Sequence, residues 1–320
     1  MKTQVLRLVR IYRESGLRGL AGRVIGRFVW RLGEGIALLG KSIYVQRQFN
    51  PPSSSDVLRV LRRNSALRDI HAGQTCFIVG SGPSLVHQNV EGLRNGTIIS
   101  VNENFIFLRK RGVVPNYHVV TDPHYFNGRE PSIRFLKDIT ELVQNTDAKV
   151  IIDIKANSVI EAQNFPSRDS FHFLIQVGDI YDYACVGKPL PIDLSRPVPG
   201  FRTVMHAALL SALYMGFRTI YLLGADLDYF AHPRAPFDHS FGVSPYNPRS
   251  ADSVMDLYAE FHGVDYPGVL DKAYRELVSY RHLGDMAKAL GRVIYNATPG
   301  GLLEVFERQT PPGLEQLDSA

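Results

Sequence analysis

Cysteine is almost missing from this chain of 320 residues: Cys76 and Cys185 are its only two, and neither has a His or Cys partner at metal-ligand spacing. A disulfide framework and a zinc finger are therefore excluded as sources of stability, and a reducing, cytoplasmic setting is expected. Long hydrophobic runs are also lacking. No stretch of 18 apolar residues occurs, so no membrane-spanning helix is expected. The N-terminus spreads its arginines evenly instead of placing a charged tip before an apolar segment, which argues against a secretory signal. What is present, 45% hydrophobic and 21% charged residues, is the composition of a folded globular protein.

Acidic residues are scarce in one place. Residues 1–48 hold ten Lys and Arg against Glu14 and Glu34, so the net charge of +5 comes from this arm and the rest of the chain is net acidic. Within the arm Leu17, Leu20, Ala21, Val24, Phe28 and Leu32 fall at helical spacing while Arg23 and Arg27 project elsewhere. Two readings stay open: a basic amphipathic helix lying on an anionic membrane surface, or a helix packed on its own domain with a solvated basic face. Nucleic-acid binding is not expected, because Tyr12, Phe28 and Trp30 form no aromatic platform with interleaved lysines. The expected organisation is an arm at 1–49, a linker at 50–56 opened by NPPSSS, a body at 57–310 and a tail at 311–320.

In the body, short apolar runs alternate with helical patterns. Strands are expected over 75–80, 97–101, 117–121, 149–154, 171–175, 219–224 and 293–296, and helices over 85–93, 105–111, 132–143, 201–215 and 271–290. This alternation predicts an α/β fold, a Rossmann-like, doubly wound and mostly parallel sheet. Ligands bind such sheets beyond the carboxyl ends of the strands, which directs attention to the strand tails.

Those tails read GSGPS (80–84), NEN (102–104), TDPHYF (121–126), GADLDYF (224–230) and NATPGG (296–301). The first is no Walker loop, since no Gly-Lys-Ser/Thr follows, and it lacks the third glycine of a dinucleotide fingerprint. Gly80 and Gly82 permit positive φ and bare N–H groups, Pro83 suits a first helical turn, and Ser84 can donate to a phosphate or cap the turn. An anion site is one reading and a ligand-free turn the other.

Together with MGFRTIYLLGAD (215–226), these tails, in this order over residues 75–306, resemble a domain family related to the motility-associated flagellin glycosyltransferases. They are similar, more distantly, to the bacterial sialyltransferases that use a CMP-activated sugar, and the same superfamily holds a 6-hydroxymethylpterin diphosphokinase branch. The resemblance implies that Gly80, Ser81, Gly82, Ser84 and Asn102 line a nucleotide site with Asn104 and Asp122 nearby. Asn102 offers both donors and an acceptor, or else it caps the following helix. In PGFRT (199–203), Pro199 replaces the small hydroxyl residue of the sialyltransferases, leaving Gly200, Arg202 and Thr203 to supply the contact. Arg202 at a helix start is unfavourable for the dipole unless an anion sits there.

Asp226 shapes the site, or with Asp228 it holds a divalent cation in an Asp-X-Asp pattern; a CMP donor needs none, so no metal and no cofactor are expected. Asn296 and Thr298 complete the site. The 229–269 stretch lacks clear periodicity and reads as a functional loop. By the resemblance its His239 serves as the base, with His232 and His262 as rivals, while Tyr229 and Tyr246 bind the departing phosphate. The implied activity is transfer of an acidic sugar from a CMP donor to a glycan or lipid-linked acceptor at the inner membrane. Pyrophosphoryl transfer to a pterin alcohol with ATP and Mg, and a non-catalytic nucleotide-binding scaffold of polysaccharide assembly, are the alternatives.

Overall fold

The computed structural model describes residues 55–236, 239–246 and 252–314. The arm, linker residues 50–54 and tail residues 315–320 lie outside the described residues. Helix α1, Ser55–Arg62, opens the described residues, with Leu61 buried and the helix lying against β5, Phe171–Leu174.

The expected parallel sheet is present. Strands β1 Thr75–Val79, β2 Thr97–Val101, β3 Tyr117–Val120, β4 Lys149–Asp153, β5, β8 Thr219–Leu223, β9 Val293–Asn296 and β10 Glu307–Arg308 all run parallel, in the order β10-β9-β8-β1-β2-β3-β4-β5. A separate parallel pair joins β6 Gln176–Val177 to β7 Val198–Pro199. The strands are apolar on both faces because helices cover both. On β1, Cys76 and Ile78 face one core while Val79 faces another; on β8, Ile220 and Leu222 share the first core and Tyr221 and Leu223 the second. This alternation is the period-two geometry of a strand.

The covering helices are α2 Phe105–Lys110, α3 Glu130–Gln144, α4 Ala156–Ala162, α5 Ile180–Val186, α6 Val204–Tyr214, α7 Val254–His262 and α8 Tyr266–Ala289. Helix α6 crosses β1, β2 and β3, and every residue from Met205 to Tyr214 is buried. Its sequence, VMHAALLSALY, is apolar all round, as a helix sandwiched between the sheet and α8 must be.

Two expectations are corrected. Residues 85–93 form no helix but two short 3-10 turns, Pro83–His87 and Val90–Leu93. Gln88 between them is extended because its side-chain amide Nε2 donates to the Ala297 carbonyl, and that tertiary bond breaks the run. The 229–269 stretch holds α7 and the start of α8. Ser253 accepts from Asp256 N at 3.2 Å and Asp265 from Gly268 N at 3.1 Å, so two side-chain caps start helices inside the stretch whose lack of periodicity suggested a loop.

Candidate functional site

The strand order reverses at β1: β2 to β5 extend to one side, β8 to β10 to the other. The switch point therefore lies between the tails of β1 and β8, where such sheets form their ligand crevice. Here the GSGPS turn meets GAD. Gly80 N donates to Leu223 O and Gly82 N to Gly224 O, both at 2.8 Å. Neither glycine adopts the left-handed φ that the sequence suggested, Gly82 having φ −61. Close approach is what requires them. A Cβ on Gly80 would lie 2.5 Å from the Gly224 carbonyl oxygen, and one on Gly82 would overlap the Asp226 carboxylate. The two amides expected to be bare are thus consumed in joining β1 to β8.

Asp226 occupies the start of the turn. Its carboxylate accepts from Ser84 Oγ at 2.9 Å and from Ser84 N at 3.3 Å, so the Ser84 hydroxyl is committed to an acid. Asp226 is 8% exposed, and burial, aided by the charge of Asp228, raises its pKa against the opposing Ser84 bonds. The tail after β9 closes over it. Leu302 N donates to Asp226 O at 2.7 Å, and Gly301, at φ 71, carries no Cβ where one would lie 2.8 Å from Asp226 Cα. Asn296 donates to Leu303 O and accepts from Thr298 N, while Thr298 Oγ accepts from Ala225 N at 3.0 Å. Asn296 and Thr298 also line a cavity of about 220 Å³ with Gln88, Pro299 and Arg308. That is below the roughly 300 Å³ at which ligand pockets usually begin.

The β2 tail supplies three side chains. Asn102 is held at φ 44, and its buried Oδ1 finds no hydrogen-bond partner among the described residues. Asn104, fully buried, donates to Val79 O at 3.1 Å and accepts from Ser240 Oγ at 3.2 Å. Glu103, 2% exposed, accepts from Tyr125 Oη at 2.8 Å and Ser244 Oγ at 2.7 Å. Burial raises its pKa, against the two hydroxyl donors. Residues 239–246 are thereby fastened over the β1 and β2 tails, with Ser240 N also donating to Ser81 O at 2.9 Å. At the β3 tail Asp122 Oδ1 lies 2.6 Å from His124 Nδ1.

His239 sits in that fastened loop, its ring stacked on Phe241 at 4.8 Å. Tyr246 does not face the crevice: it packs in a core beside Phe105 and Phe135, and its hydroxyl donates to Asp138. Tyr229 and Arg202 meet elsewhere, around Glu276 of α8. Tyr229 Oη donates to Glu276 Oε2 at 3.1 Å and stacks on Tyr258, and burial pushes the Glu276 pKa up to about 7. Arg202 is paired with Asp179 at 2.5 Å and lies over the Tyr181 ring, which explains a cation at a helix start without any anion ligand. Thr203 caps α6 by accepting from Met205 N, and Gly200 lies against the Gly178 carbonyl where no side chain fits. The rivals His232 and His262 are both exposed.

The family described as 6-hydroxymethylpterin diphosphokinase MptE-like matches residues 55–231. The chain belongs to this family. The matched MptE-like region contains β1 through β8 and every tail of the switch point except the one after β9, and it ends before the loop at 239–246. No curated protein matches the chain. Among solved structures it is similar to the MAf glycosyltransferase from Magnetospirillum magneticum AMB-1, with 17% identity, TM-score 0.40 and 78% of this chain covered. The chain spans only 38% of that protein. It is similar too to the sialyltransferase CstII from Campylobacter jejuni in complex with CMP-3FNeuAc, at 14% identity and TM-score 0.42 over 77% of this chain and 92% of that one. A second CstII structure, with cytidine-5'-monophosphate, gives 15% identity and TM-score 0.43 over 78% and 91%.

Three groups of this MptE-like chain were missed from sequence: Glu103, His124 and Glu276. The first two stood inside quoted tails, NEN and TDPH, where an acid between two amides and an Asp–His pair two residues apart were the available signals. Glu276, on a helix distant in sequence, had none. Among the described residues no three His, Cys, Asp or Glu side chains converge as a metal site would require, and no helix is long and apolar enough to cross a membrane.

Proposed function

We propose that this protein is a transferase that takes an acidic sugar from a CMP donor at the β1–β8 crevice and passes it to a hydroxyl of a glycan or lipid-linked acceptor. Asp226 carries the reading. A buried carboxylate stands at the glycine turn where a phosphate-binding loop would present free amides. Each unit of phosphate charge about 5 Å from it costs roughly 3 kcal/mol at an effective dielectric of about 20. A CMP-linked acidic sugar brings one phosphodiester charge there, with its carboxylate on the far side of the anomeric carbon, whereas ATP brings several charges on one triphosphate. Asn102, with its unpartnered Oδ1, meets the nucleoside; Asn104, Asn296 and Thr298 hold the surrounding tails in place. The basic N-terminal segment brings the enzyme to an anionic membrane surface, where lipid-linked acceptors lie.

The family description supports a second reading, pyrophosphoryl transfer from ATP to a pterin alcohol. Asp226 and Asp228 would then share a magnesium ion, and the same carboxylates that repel a bare triphosphate would attract it through the metal. Thermal stability with CMP and with ATP plus magnesium separates the two. A ligand at 100 times its Kd adds about 2.7 kcal/mol to stability, or roughly 5–10 °C in Tm for a domain of this size. A metal-independent shift with CMP supports sugar transfer. A shift with ATP and magnesium alone supports the second reading, and no shift with either removes both. Binding of CMP without turnover of any CMP-sugar would leave a nucleotide-binding scaffold.

A further inference from the structure

The β2 and β3 tails carry a side-chain cluster that nucleotide binding does not use. In TDPH, Asp122 caps the 3-10 turn Pro123–Phe126, and its Oδ1 lies 2.6 Å from His124 Nδ1. The other ring nitrogen, Nε2, is sealed from solvent and meets no hydrogen-bond partner among the described residues. The ring lies 3.7 Å from that of Tyr125, whose hydroxyl donates to Glu103, and the second Glu103 oxygen, Oε2, is likewise buried without a partner. An unpartnered buried polar atom costs about 1–3 kcal/mol, and native proteins retain few of them. Here two lie together at the carboxyl edge of the sheet.

Other histidines do not share this arrangement. Among the described residues His118 and His206 also have unpartnered ring nitrogens, but both are fully buried in the core, and none of their ring nitrogens meets a carboxylate. In His124 a carboxylate holds Nδ1, which fixes the ring and leaves the Nε2 lone pair as the reactive one, the arrangement by which an acid orients a catalytic imidazole. Strand β3 lies two places from β1, about 10 Å at the usual strand spacing, so the pair stands on the same carboxyl edge as the switch point.

We propose that His124, oriented by Asp122, takes the proton from the acceptor hydroxyl, a deeper account of the transferase reading on which it rests. The acceptor oxygen forms a bond to the anomeric carbon as the bond from that carbon to the phosphate oxygen breaks. CMP leaves with the bonding pair, and the hydroxyl proton passes to His124 Nε2. Glu103, held by Tyr125 and by Ser244 of the loop over the tails, hydrogen-bonds through Oε2 to the arriving acceptor. Its placement makes His124, not His239, the base.

The test uses the full chain and its His124→Gln variant, with CMP binding followed by calorimetry and turnover by CMP release from CMP-N-acetylneuraminate. The expected result is CMP affinity within about threefold of the parent and release slowed by roughly 10²- to 10⁴-fold, the usual contribution of general base catalysis. Release within about threefold of the parent, with His239→Gln the slow variant instead, overturns the assignment. Should His124→Gln fail to fold, Asp122→Asn serves. Without the carboxylate that holds the ring, kcat for CMP release should fall at least about tenfold with KM within about threefold, whereas a change in KM alone, or none in kcat, overturns the orienting role. If CMP does not bind, the transferase reading falls separately. The dyad is then judged by ¹⁵N spectra of the neutral ring, where the Nδ1–H tautomer supports it and the Nε2–H tautomer overturns it.

Discussion

Replacing Gly82 by alanine tests whether the glycine turn exists for a ligand or for the junction between β1 and β8. The backbone at Gly82 has φ −61, which alanine adopts freely, so any effect is steric. The new Cβ would overlap the Asp226 carboxylate and lie 2.6 Å from the Gly224 carbonyl oxygen. Overpacking of this kind costs about 1–3 kcal/mol. Displacing Asp226 also weakens its two bonds from Ser84, and bonds to a charged group contribute about 1.5–3 kcal/mol. A total near 4 kcal/mol corresponds to a Tm lower by roughly 10 °C. Gly291→Ala is the control: Gly291 has φ 69 with open space around it, so only backbone strain of about 1–2 kcal/mol is expected. The decisive comparison is the double variant Gly82→Ala/Asp226→Ala. With the carboxylate gone the Cβ has room, so the double variant should be at least about 1.5 kcal/mol more stable than the sum of the single effects, a coupling that contacting residues show. Chemical denaturation of the four proteins measures it. Additivity within about 0.5 kcal/mol would refute the steric account, as would a Gly82→Ala protein as stable as its parent.

Two further outcomes concern pH. His206 is fully buried, neither ring nitrogen has a hydrogen-bond partner among the described residues, and burial lowers its pKa to about 3. The unfolded chain binds a proton below about pH 6.5 and the folded chain does not, so stability falls as the pH drops from about 6.5 to about 3, by roughly 2 kcal/mol at pH 5. His206→Leu should therefore gain more stability at pH 5 than at pH 8, and denaturation midpoints that shift equally at both would contradict this. Glu276 works in the opposite sense. Its folded pKa is raised to about 7, so the unfolded chain loses its proton first, and stability declines as the pH rises from about 4.5 to 7 and then levels. In Glu276→Gln that decline should shrink, and a variant whose stability tracks the parent across this window would rule out a protonated Glu276.

The strands were legible because their residues are apolar on both faces, and a sheet covered by helices leaves no other reading for IIS, HVV, VII and YLL between polar tails. The region 85–93 was misread because Val86, Val90 and Leu93 imitate a helical face, while the bond from Gln88 to Ala297 that breaks it spans the chain. Helix α7 was missed and α8 shortened because the 229–269 stretch shows no clear periodicity, while the caps Ser253 and Asp265 are seen only once their bonds to Asp256 N and Gly268 N are closed. The tails were located correctly, yet their chemistry was not. Ser84 and Arg202 looked like phosphate ligands from residue type alone, and each is already paired with a carboxylate.

By itself the sequence determined the class of fold, the position of the carboxyl edge and the residues that crowd there, because periodicity and turn composition are local properties. Only the tertiary structure decided which of those residues face one another. Asp226 meets Ser84 across 142 positions, Tyr229 meets Glu276 across 47, and Ser244 meets Glu103 across 141. Whether a polar side chain is free or satisfied depends on such partners, and a partner distant in the chain leaves no local trace. His124 and Asp122 are two residues apart and could be read as a pair from TDPH, but only packing decided that the second ring nitrogen would be left without a partner.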